Sequence, residues 1–235
     1  MRRSQFYPAF LDFQGKRVVV VGGGVIATDK VRGLVPCGAS PLVVIAPDVS
    51  AFIRNAAADG QVEWHARTYH RGDVAGAVAV FAATDDRSLN ELVATDARRH
   101  GIMVLAVDDI PNCDFIAPAV VKRGDLILAI STGGRSPAFA HWARVHLDRA
   151  ISEHWGDLLD VVAEVRVRLG TARRRVAAQR WEAALDDELE SLVRNGRLAE
   201  AGDLLFRRVA PADVLSPAAP PPAPTPATLS GQVKV

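Results

Sequence analysis

The feature that most constrains this chain is the run RVVVVGGGVIA at residues 17–27, where four valines lead directly into three glycines. The valines predict a buried strand, and the residues after the glycines predict a helix that begins at once. Gly22 allows a tight turn, Gly24 lets the backbone approach a pyrophosphate, and small Ala27 lets the helix pack on the strand. Free N–H groups at the start of the helix favour bound phosphate. The run therefore predicts a dinucleotide-binding turn.

Apolar runs alternate with helical patterns through the first half of the chain. This alternation is typical of a parallel sheet with helices on both faces. Pro36 lies near the end of the first predicted helix and is expected to stop it early. We predict an α/β fold of the Rossmann type, with strands at residues 18–21, 42–45, 62–65, 78–82 and 102–107.

The pattern changes after Pro111. Apolar runs at residues 115–121 and 126–131 flank the polar residues 122–125, which predicts an antiparallel hairpin with a four-residue loop. The apolar face of such a hairpin must be buried against another part of the protein or another chain. We therefore expect it to pack against a second copy of the chain in a homodimer.

Helical patterns fill the rest of the chain. Ser136 and Pro137 predict a capped helix start, and a further helix is predicted from about Ser152. The apolar positions of the first helix are Phe139, Trp142 and Val145, and a third helix carries Trp181, Leu185, Leu189 and Leu192. We expect a dinucleotide-binding domain at 1–112, a hairpin segment at 113–150, a small helical domain at 151–210 and a disordered Pro- and Ala-rich tail at 211–235.

Composition excludes several classes of protein. In 235 residues, 28 Lys and Arg balance 27 Asp and Glu, which argues against a dedicated nucleic-acid binder. Cys37 and Cys113 form no metal-ligand or disulfide pattern, and each is expected to be a small packed residue. The N-terminus has no export signal, and no stretch of roughly 18 uninterrupted apolar residues follows. We expect a soluble cytoplasmic protein without a membrane partner.

Four segments stand out, in this order: residues 6–17 (FYPAFLDFQGKR), 82–86 (AATDD) with Asn90, 107–109 (VDD) with 113–118 (CDFIAP), and 130–137 (ISTGGRSP). Taken together, they resemble the precorrin-2 dehydrogenase and sirohydrochlorin ferrochelatase family, which includes the N-terminal region of siroheme synthase. The resemblance covers residues 5 to about 200, and its last two segments are more specific than the glycine turn.

The resemblance implies an enzyme that oxidises precorrin-2 to sirohydrochlorin with NAD. Some members also insert ferrous iron, and the resemblance leaves open whether this chain does. It implies that Asp108 is the catalytic base, and Asp108 lies just beyond the strand at 102–107, where open parallel sheets bind ligands. The alternative for Asp108, and the stronger one for Asp109, is a carboxylate that caps a turn.

The loop at residues 131–135 is the second site that the resemblance implies. Ser131 would face the cleft, with a catalytic role or as a ligand for a substrate carboxylate. Its alternative is a strand-end serine bonded to its own backbone. We expect the substrate-binding residues to be Ser131, Thr132, Gly133, Gly134 and Arg135.

The resemblance also implies which residues contact the cofactor, beside the glycines of the turn. The second predicted strand departs from the usual dinucleotide pattern, because no acid stands directly at its tip. Asp48 can reach the ribose or, alternatively, cap the next helix. NAD rather than NADP is therefore inferred from the family alone. The expected cofactor-binding residues are Gly22, Gly23, Gly24, Val25, Ile26, Pro47, Asp48 and Thr84.

The substrate that the resemblance implies is rich in carboxylates, so its cleft is expected to be locally basic. The six histidines form no closed metal-ligand pattern, and we predict no metal site. The nearest histidines to a chelation site are His141, His146 and His154, while His65, His70 and His100 lie in the first half. Basic candidates are Lys122, Arg123, Arg135, Arg144, Arg149, Arg166, Arg168, Arg173, Arg174 and Arg175.

Two rival functions stay open at this point. A non-enzymatic NAD-sensing module would need neither Asp108 nor the Ser131 loop. Another NAD(P)-dependent dehydrogenase with a small substrate would fit the glycine turn, but it leaves the basic C-terminal helices unexplained. A trifunctional siroheme synthase is not expected, because no methyltransferase-sized domain follows Leu215.

Overall fold

A computed structural model describes residues 6–215 of the chain. Its main element is a parallel sheet in the order β3-β2-β1-β4-β5, which confirms the predicted α/β fold. Every residue of β1, β2 and β4 is buried, as the continuous apolar runs imply. The strands are β1 Val18–Val21, β2 Leu42–Ile45, β3 Glu63–His65, β4 Ala79–Ala82 and β5 Met103–Ala106.

Two apolar layers cover the faces of this sheet. Alternate residues of β1 point to opposite layers: Val18 and Val20 join one, Val19 and Val21 the other. Helices α1 (Val25–Leu34) and α2 (Ala51–Ala58) supply the first layer, and α3 (Arg87–Arg99) supplies the second. Helix α1 ends at Leu34, and the 3₁₀ turn Val35–Cys37 follows with Pro36 inside it, as the sequence predicts.

The hairpin exists, but its predicted boundaries are wrong. Strands β6 (Ala119–Arg123) and β7 (Leu126–Ile130) are joined by two residues, not four. Gly124 adopts φ +56°, which suits the first position of a two-residue turn. Arg123 is the last residue of β6, and its guanidinium bonds the side chain and carbonyl of Asp148, at 3.0 and 2.7 Å. Phe115, predicted to be strand, instead packs edge-on against Phe81.

The helical part of the chain differs from the prediction at one place, where a helix predicted to be continuous is interrupted. Helix α4 (Pro137–Ala150) begins as expected, with the Phe139 N–H donating to Ser136 Oγ at 3.1 Å. The single helix predicted around Trp181–Leu192 is two, because Asp186 accepts the Leu189 N–H and starts a new helix. The remaining helices are α5 Trp155–Arg168, α6 Ala178–Ala184, α7 Asp187–Arg194, α8 Leu198–Val209 and α9 Ala212–Leu215.

The chain separates into two compact units. One holds the chain up to Val120 with Ala129–Val145, and the other holds Val121–Leu128 with the chain from His146. The second has a core of its own, built from α5, α7 and α8. Helix α9 is ordered inside the segment predicted to be a disordered tail, and residues 216–235 of that segment lie outside the described residues. Across residues 6–215, no helix is long and apolar enough to cross a membrane.

Candidate dinucleotide and substrate site

The glycine turn between β1 and α1 is fixed by its neighbours. Gly22 adopts φ +125°, and a Cβ there would overlap the carbonyl of Ala83. A Cβ on Gly23 would overlap the carbonyl of Asp48, a requirement that the sequence pattern does not reveal. A Cβ on Gly24 would meet nothing within 4 Å. The turn is therefore closely packed on two sides and open at Gly24, which suits close approach of a ligand.

The start of α1 is free to bind an anion. Gly24 is its N-cap and supplies no side-chain cap, and no acidic residue lies in the first turn. The Val25 side chain is exposed, and so is that of Ile26. The first N–H groups of α1 thus lack a capping side chain, and they fit the pyrophosphate of a dinucleotide.

Hydrogen bonds join the glycine turn to the loop after β2. Thr28 Oγ1 lies 2.8 Å from both the Gly24 carbonyl and Ser50 Oγ, and the Ser50 N–H donates to the Gly23 carbonyl at 3.1 Å. Ser50 also accepts the Ile53 N–H and is the N-cap of α2. The alternative role of Asp48 as cap of this helix is therefore wrong.

A cavity of about 810 Å³ opens at the carboxyl ends of β1, β2 and β4. Its volume and position fit a cofactor site of an open parallel sheet. Thr68 and Tyr69, which the sequence did not single out, line it beside Pro47. Every residue predicted to contact the cofactor lines this cavity: Gly22, Gly23, Gly24, Val25, Ile26, Pro47, Asp48 and Thr84.

Asp108 lines the same cavity and has an unusual backbone. Its φ is +58°, the one positive φ among the non-glycine residues at 6–215. This left-handed conformation is uncommon outside glycine, although Asp and Asn adopt it more often than other residues. The Asp108 side chain is exposed, whereas Asp109 is buried and accepts a hydrogen bond from Asn112 Nδ2 at 2.7 Å. The two carboxylates thus have different surroundings, and Asp109 has the turn role.

Lys30 is a charged neighbour of Asp108 that the sequence analysis missed. It lies on α1 and is half-buried. Burial lowers the pKa of the Lys30 amine, while the negative charges of Asp29 and Asp108 oppose that change. Cys113 is packed nearby, with its thiol donating to the Ala106 carbonyl at 3.0 Å, and burial raises its pKa. No local pattern in the sequence distinguishes Lys30 from a solvated helix lysine.

Asn90 holds the cavity residue Thr84 in place. Thr84 Oγ1 donates to Asn90 Oδ1 at 2.8 Å, and Asn90 Nδ2 donates to the Thr84 carbonyl at 2.8 Å. Asn90 is buried in α3, so its amide has a structural role at the end of β4.

The loop at 131–135 does not line the cavity. Ser131 Oγ accepts the Gly133 N–H at 3.0 Å, as its alternative role predicts. Thr132 Oγ1 accepts the Ser136 N–H at 3.2 Å, and Gly133 adopts φ +62°. A Cβ on Gly134 would lie 2.8 Å from the Ile110 side chain, so this loop packs beside the segment that follows Asp108.

Several of the basic candidates are paired with acids. Arg123 pairs with Asp148, Arg168 with Asp203 and Arg175 with Asp213, at 2.7 to 3.0 Å. At residues 6–215, no three His, Cys, Asp or Glu side chains lie close enough together to hold a metal ion.

Comparisons with known proteins agree with this geometry. A family model for NAD(P)-binding domains matches residues 9–119. The chain is 36% identical over 216 residues to a siroheme synthase of Methylococcus capsulatus, spanning 88% of this chain and 45% of that protein. It is 37% identical over 207 residues to a siroheme synthase of Pseudomonas paraeruginosa, spanning 87% of this chain and 44% of that protein.

A solved structure completes the comparison. It is "SirC, precorrin-2 dehydrogenase", with a TM-score of 0.69 and 28% identity over 86% of this chain and 100% of that one. The chain is therefore similar, over most of its length, to siroheme synthases and to a precorrin-2 dehydrogenase. The chain spans about half the length of the curated siroheme synthases that it matches. The family model and the solved structure also support a nicotinamide cofactor, which the glycine turn and the open start of α1 fit.

Proposed function

We propose that this protein oxidises precorrin-2 to sirohydrochlorin, with NAD as the hydride acceptor. The position of Asp108 carries the proposal: an exposed carboxylate, in a left-handed backbone conformation, lines the dinucleotide cavity at the end of β5. Strained backbone at a ligand cavity is typical of residues that act in chemistry. Similarity to SirC, which is named as a precorrin-2 dehydrogenase, supports the same reaction.

The chemistry divides between the cofactor and Asp108. Precorrin-2 loses two hydrogens in this oxidation, one as a hydride and one as a proton. NAD, when bound, supplies the hydride acceptor and becomes NADH. The start of α1 and Gly24 would hold its pyrophosphate. Asp108 would accept the proton from the substrate and release it to solvent, because its side chain is exposed.

The loop at 131–135 is the proposed anchor for substrate carboxylates. Ser131 Oγ accepts the Gly133 N–H, so its own O–H is available to donate to a carboxylate. Arg135 is exposed and supplies a guanidinium that suits the same group. The packing of Gly134 on Ile110 supports this role, because it keeps the loop beside the segment that contains Asp108.

The test is an anaerobic assay of precorrin-2 with NAD, followed by the absorbance of sirohydrochlorin. Asn tolerates a left-handed backbone, so Asp108→Asn removes the base with little change to the fold. We expect its rate to fall by about 10²- to 10⁴-fold. Asp59→Asn, an exposed carboxylate at the end of α2, is the matched control and should keep the full rate.

The outcomes separate the alternatives. An NAD-sensing module or a dehydrogenase of another substrate predicts no sirohydrochlorin from the unmodified protein, and that result would overturn the proposal. A full rate for Asp108→Asn would remove only the base assignment. Insertion of ferrous iron is a separate proposal, supported by the family resemblance alone, and is tested by adding sirohydrochlorin and ferrous ion without NAD.

We also propose that two copies of the chain associate through the hairpin and α4. Helix α4 is 14 residues long and buries none of them. Its Phe139 and Trp142 side chains are 57% and 52% exposed, and Val120 and Ile127 of the hairpin are also exposed. Apolar surface of this kind favours a protein partner, and closed two-fold dimers are the commonest assemblies of identical chains.

A further inference from the structure

An ion pair stands beside the cavity, just beyond β2. The strand ends at Ile45, and apolar Ala46 and Pro47 precede Asp48, which lines the cavity. Arg54 of α2 reaches back to Asp48, with 2.9 Å between Arg54 Nη2 and Asp48 Oδ1.

A second set of contacts holds Arg54 in this position. Its Nη2 also donates to the Val49 carbonyl at 3.3 Å, and its guanidinium lies 5.6 Å from the centre of the Trp64 ring. Trp64 is fixed in turn, because its indole N–H donates to the Ala46 carbonyl at 3.0 Å. The guanidinium is therefore held against the loop after β2 by three different groups.

One oxygen of Asp48 is left for a ligand. The two hydrogen bonds that reach this carboxylate from residues 6–215, from the Val49 N–H and from Arg54, both end on Oδ1. The Asp48 side chain is 85% exposed. Its Oδ2 can therefore accept a hydroxyl hydrogen bond.

The sheet order assigns this acid to one end of the cavity. The other acids that line the cavity, including Asp85 and Asp108, follow β4 or β5. Strands β2 and β4 lie on opposite sides of β1, so among the acids that line the cavity Asp48 is the one on the β2 side. In folds of this type, the adenosine ribose binds on that side. An acid there hydrogen-bonds the ribose 2′-hydroxyl of NAD, whereas an arginine there binds the 2′-phosphate of NADP.

We propose that the Asp48–Arg54 pair selects NAD over NADP. This inference rests on the proposed function, because it assigns the discrimination between two forms of the same cofactor. The Asp48 carboxylate accepts a ribose hydroxyl and repels a 2′-phosphate at the same place. Arg54 has the chemistry to bind that phosphate, but the ion pair from its Nη2 to Asp48 holds the guanidinium at the carboxylate. Removal of the Asp48 charge then releases Arg54 toward the phosphate.

The experiment measures binding directly, by the fluorescence of NADH and of NADPH titrated with the full chain in the absence of substrate. The unmodified protein should bind NADH more tightly than NADPH. Asp48→Asn should bind NADPH about tenfold more tightly than the unmodified protein and NADH a few-fold more weakly. The double variant Asp48→Asn with Arg54→Gln should lose the gain for NADPH.

Asp12→Asn is the matched control. Asp12 is also exposed, at 74%, and paired, with Lys16 at 3.3 Å, but it does not line the cavity. It should leave both affinities unchanged. The gain of Asp48→Asn for NADPH should also shrink as salt is raised, because the new contact joins two exposed charges.

Two results would overturn the inference. One is an unchanged ratio of NADH to NADPH affinity in Asp48→Asn, and the other is a gain for NADPH that persists when Arg54 is also replaced. In both cases the protein still binds a dinucleotide and the proposed function stands. If the unmodified protein binds neither dinucleotide, the cofactor assignment itself falls.

Discussion

At Asp108, the backbone angle φ decides which residues fit the position and which are strained there. The φ of +58° suits glycine and is tolerated by Asp and Asn, whereas a β-branched side chain there clashes with its own backbone. We expect Asp108→Gly to keep the free energy of unfolding within about 0.5 kcal/mol, and Asp108→Val to lower it by about 1–2 kcal/mol. Urea denaturation measures both.

Asp59→Val is the control for this comparison, because Asp59 is also exposed but has φ −80°. It should cost less than about 0.5 kcal/mol. Equal losses for the valine variants at positions 59 and 108 would show that the left-handed backbone is not a constraint.

Gly23 and Gly24 are adjacent, but glycine is needed at the two positions for different reasons: protein packing at Gly23 and ligand approach at Gly24. A Cβ on Gly23 overlaps the carbonyl of Asp48, and one on Gly24 meets no protein atom within 4 Å. We expect Gly23→Ala to lower the melting temperature and to weaken NADH binding together. Gly24→Ala should melt like the unmodified protein but bind NADH at least about tenfold more weakly, because its methyl group occupies the space that the pyrophosphate approaches. An unstable Gly24→Ala would contradict this division.

At the scale of elements, the loop between β3 and β4 depends on one buried acid of α3. Asp96 is 3% exposed, and it accepts hydrogen bonds from the Tyr69 hydroxyl and from the Gly72 N–H. Burial alone would raise the pKa of Asp96, but these hydrogen bonds and the charge of His100 outweigh it and hold the pKa below its usual value. Tyr69 lines the cavity, so this acid helps to hold one residue of the cavity wall in place.

Replacement of this acid should therefore show a particular dependence on pH. A carboxyl whose pKa is lower in the folded chain stabilises fully above its unfolded pKa, about 3.9, and less as the pH falls through the folded value. We expect Asp96→Asn to lower the free energy of unfolding at pH 7 by about 1–3 kcal/mol. The difference from the unmodified protein should shrink below about pH 4. A difference that grows in acid would contradict this account.

The elements also show what sequence can predict. Strands β1, β2 and β4 are recognisable because each is a short apolar run buried on both faces. The start of α4 is recognisable because Ser136 caps it by accepting the N–H of Phe139, only three residues later. Contacts between distant residues are invisible to such patterns. The Arg123 side chain bonds Asp148, and the carbonyl of Asp48 leaves no room for a Cβ on Gly23, 25 positions away in each case. One wall of the cavity follows from the glycine run, while the lining residue Tyr69 and the position of Arg54 beside Asp48 emerge only from the fold.

At the scale of the whole molecule, the proposed dimer predicts that the protein has twice the mass of one chain in solution. Phe139→Asp places a charge on the exposed face of α4, where a second copy would have to bury it. Light scattering coupled to size exclusion should give twice the chain mass for the unmodified protein and the chain mass for Phe139→Asp. Val167→Asp, at a 78% exposed position of α5, is the control and should remain dimeric. A monomeric unmodified protein would refute the dimer.

The hydrogen bonds among Thr28, Ser50 and the carbonyls of Gly23 and Gly24 have a consequence for the affinity of a bound ligand. They join two connecting segments through protein atoms alone, so this part of the cavity wall is preorganised. Little conformational entropy is then lost when the diphosphate settles, and more of the contact energy is retained as affinity.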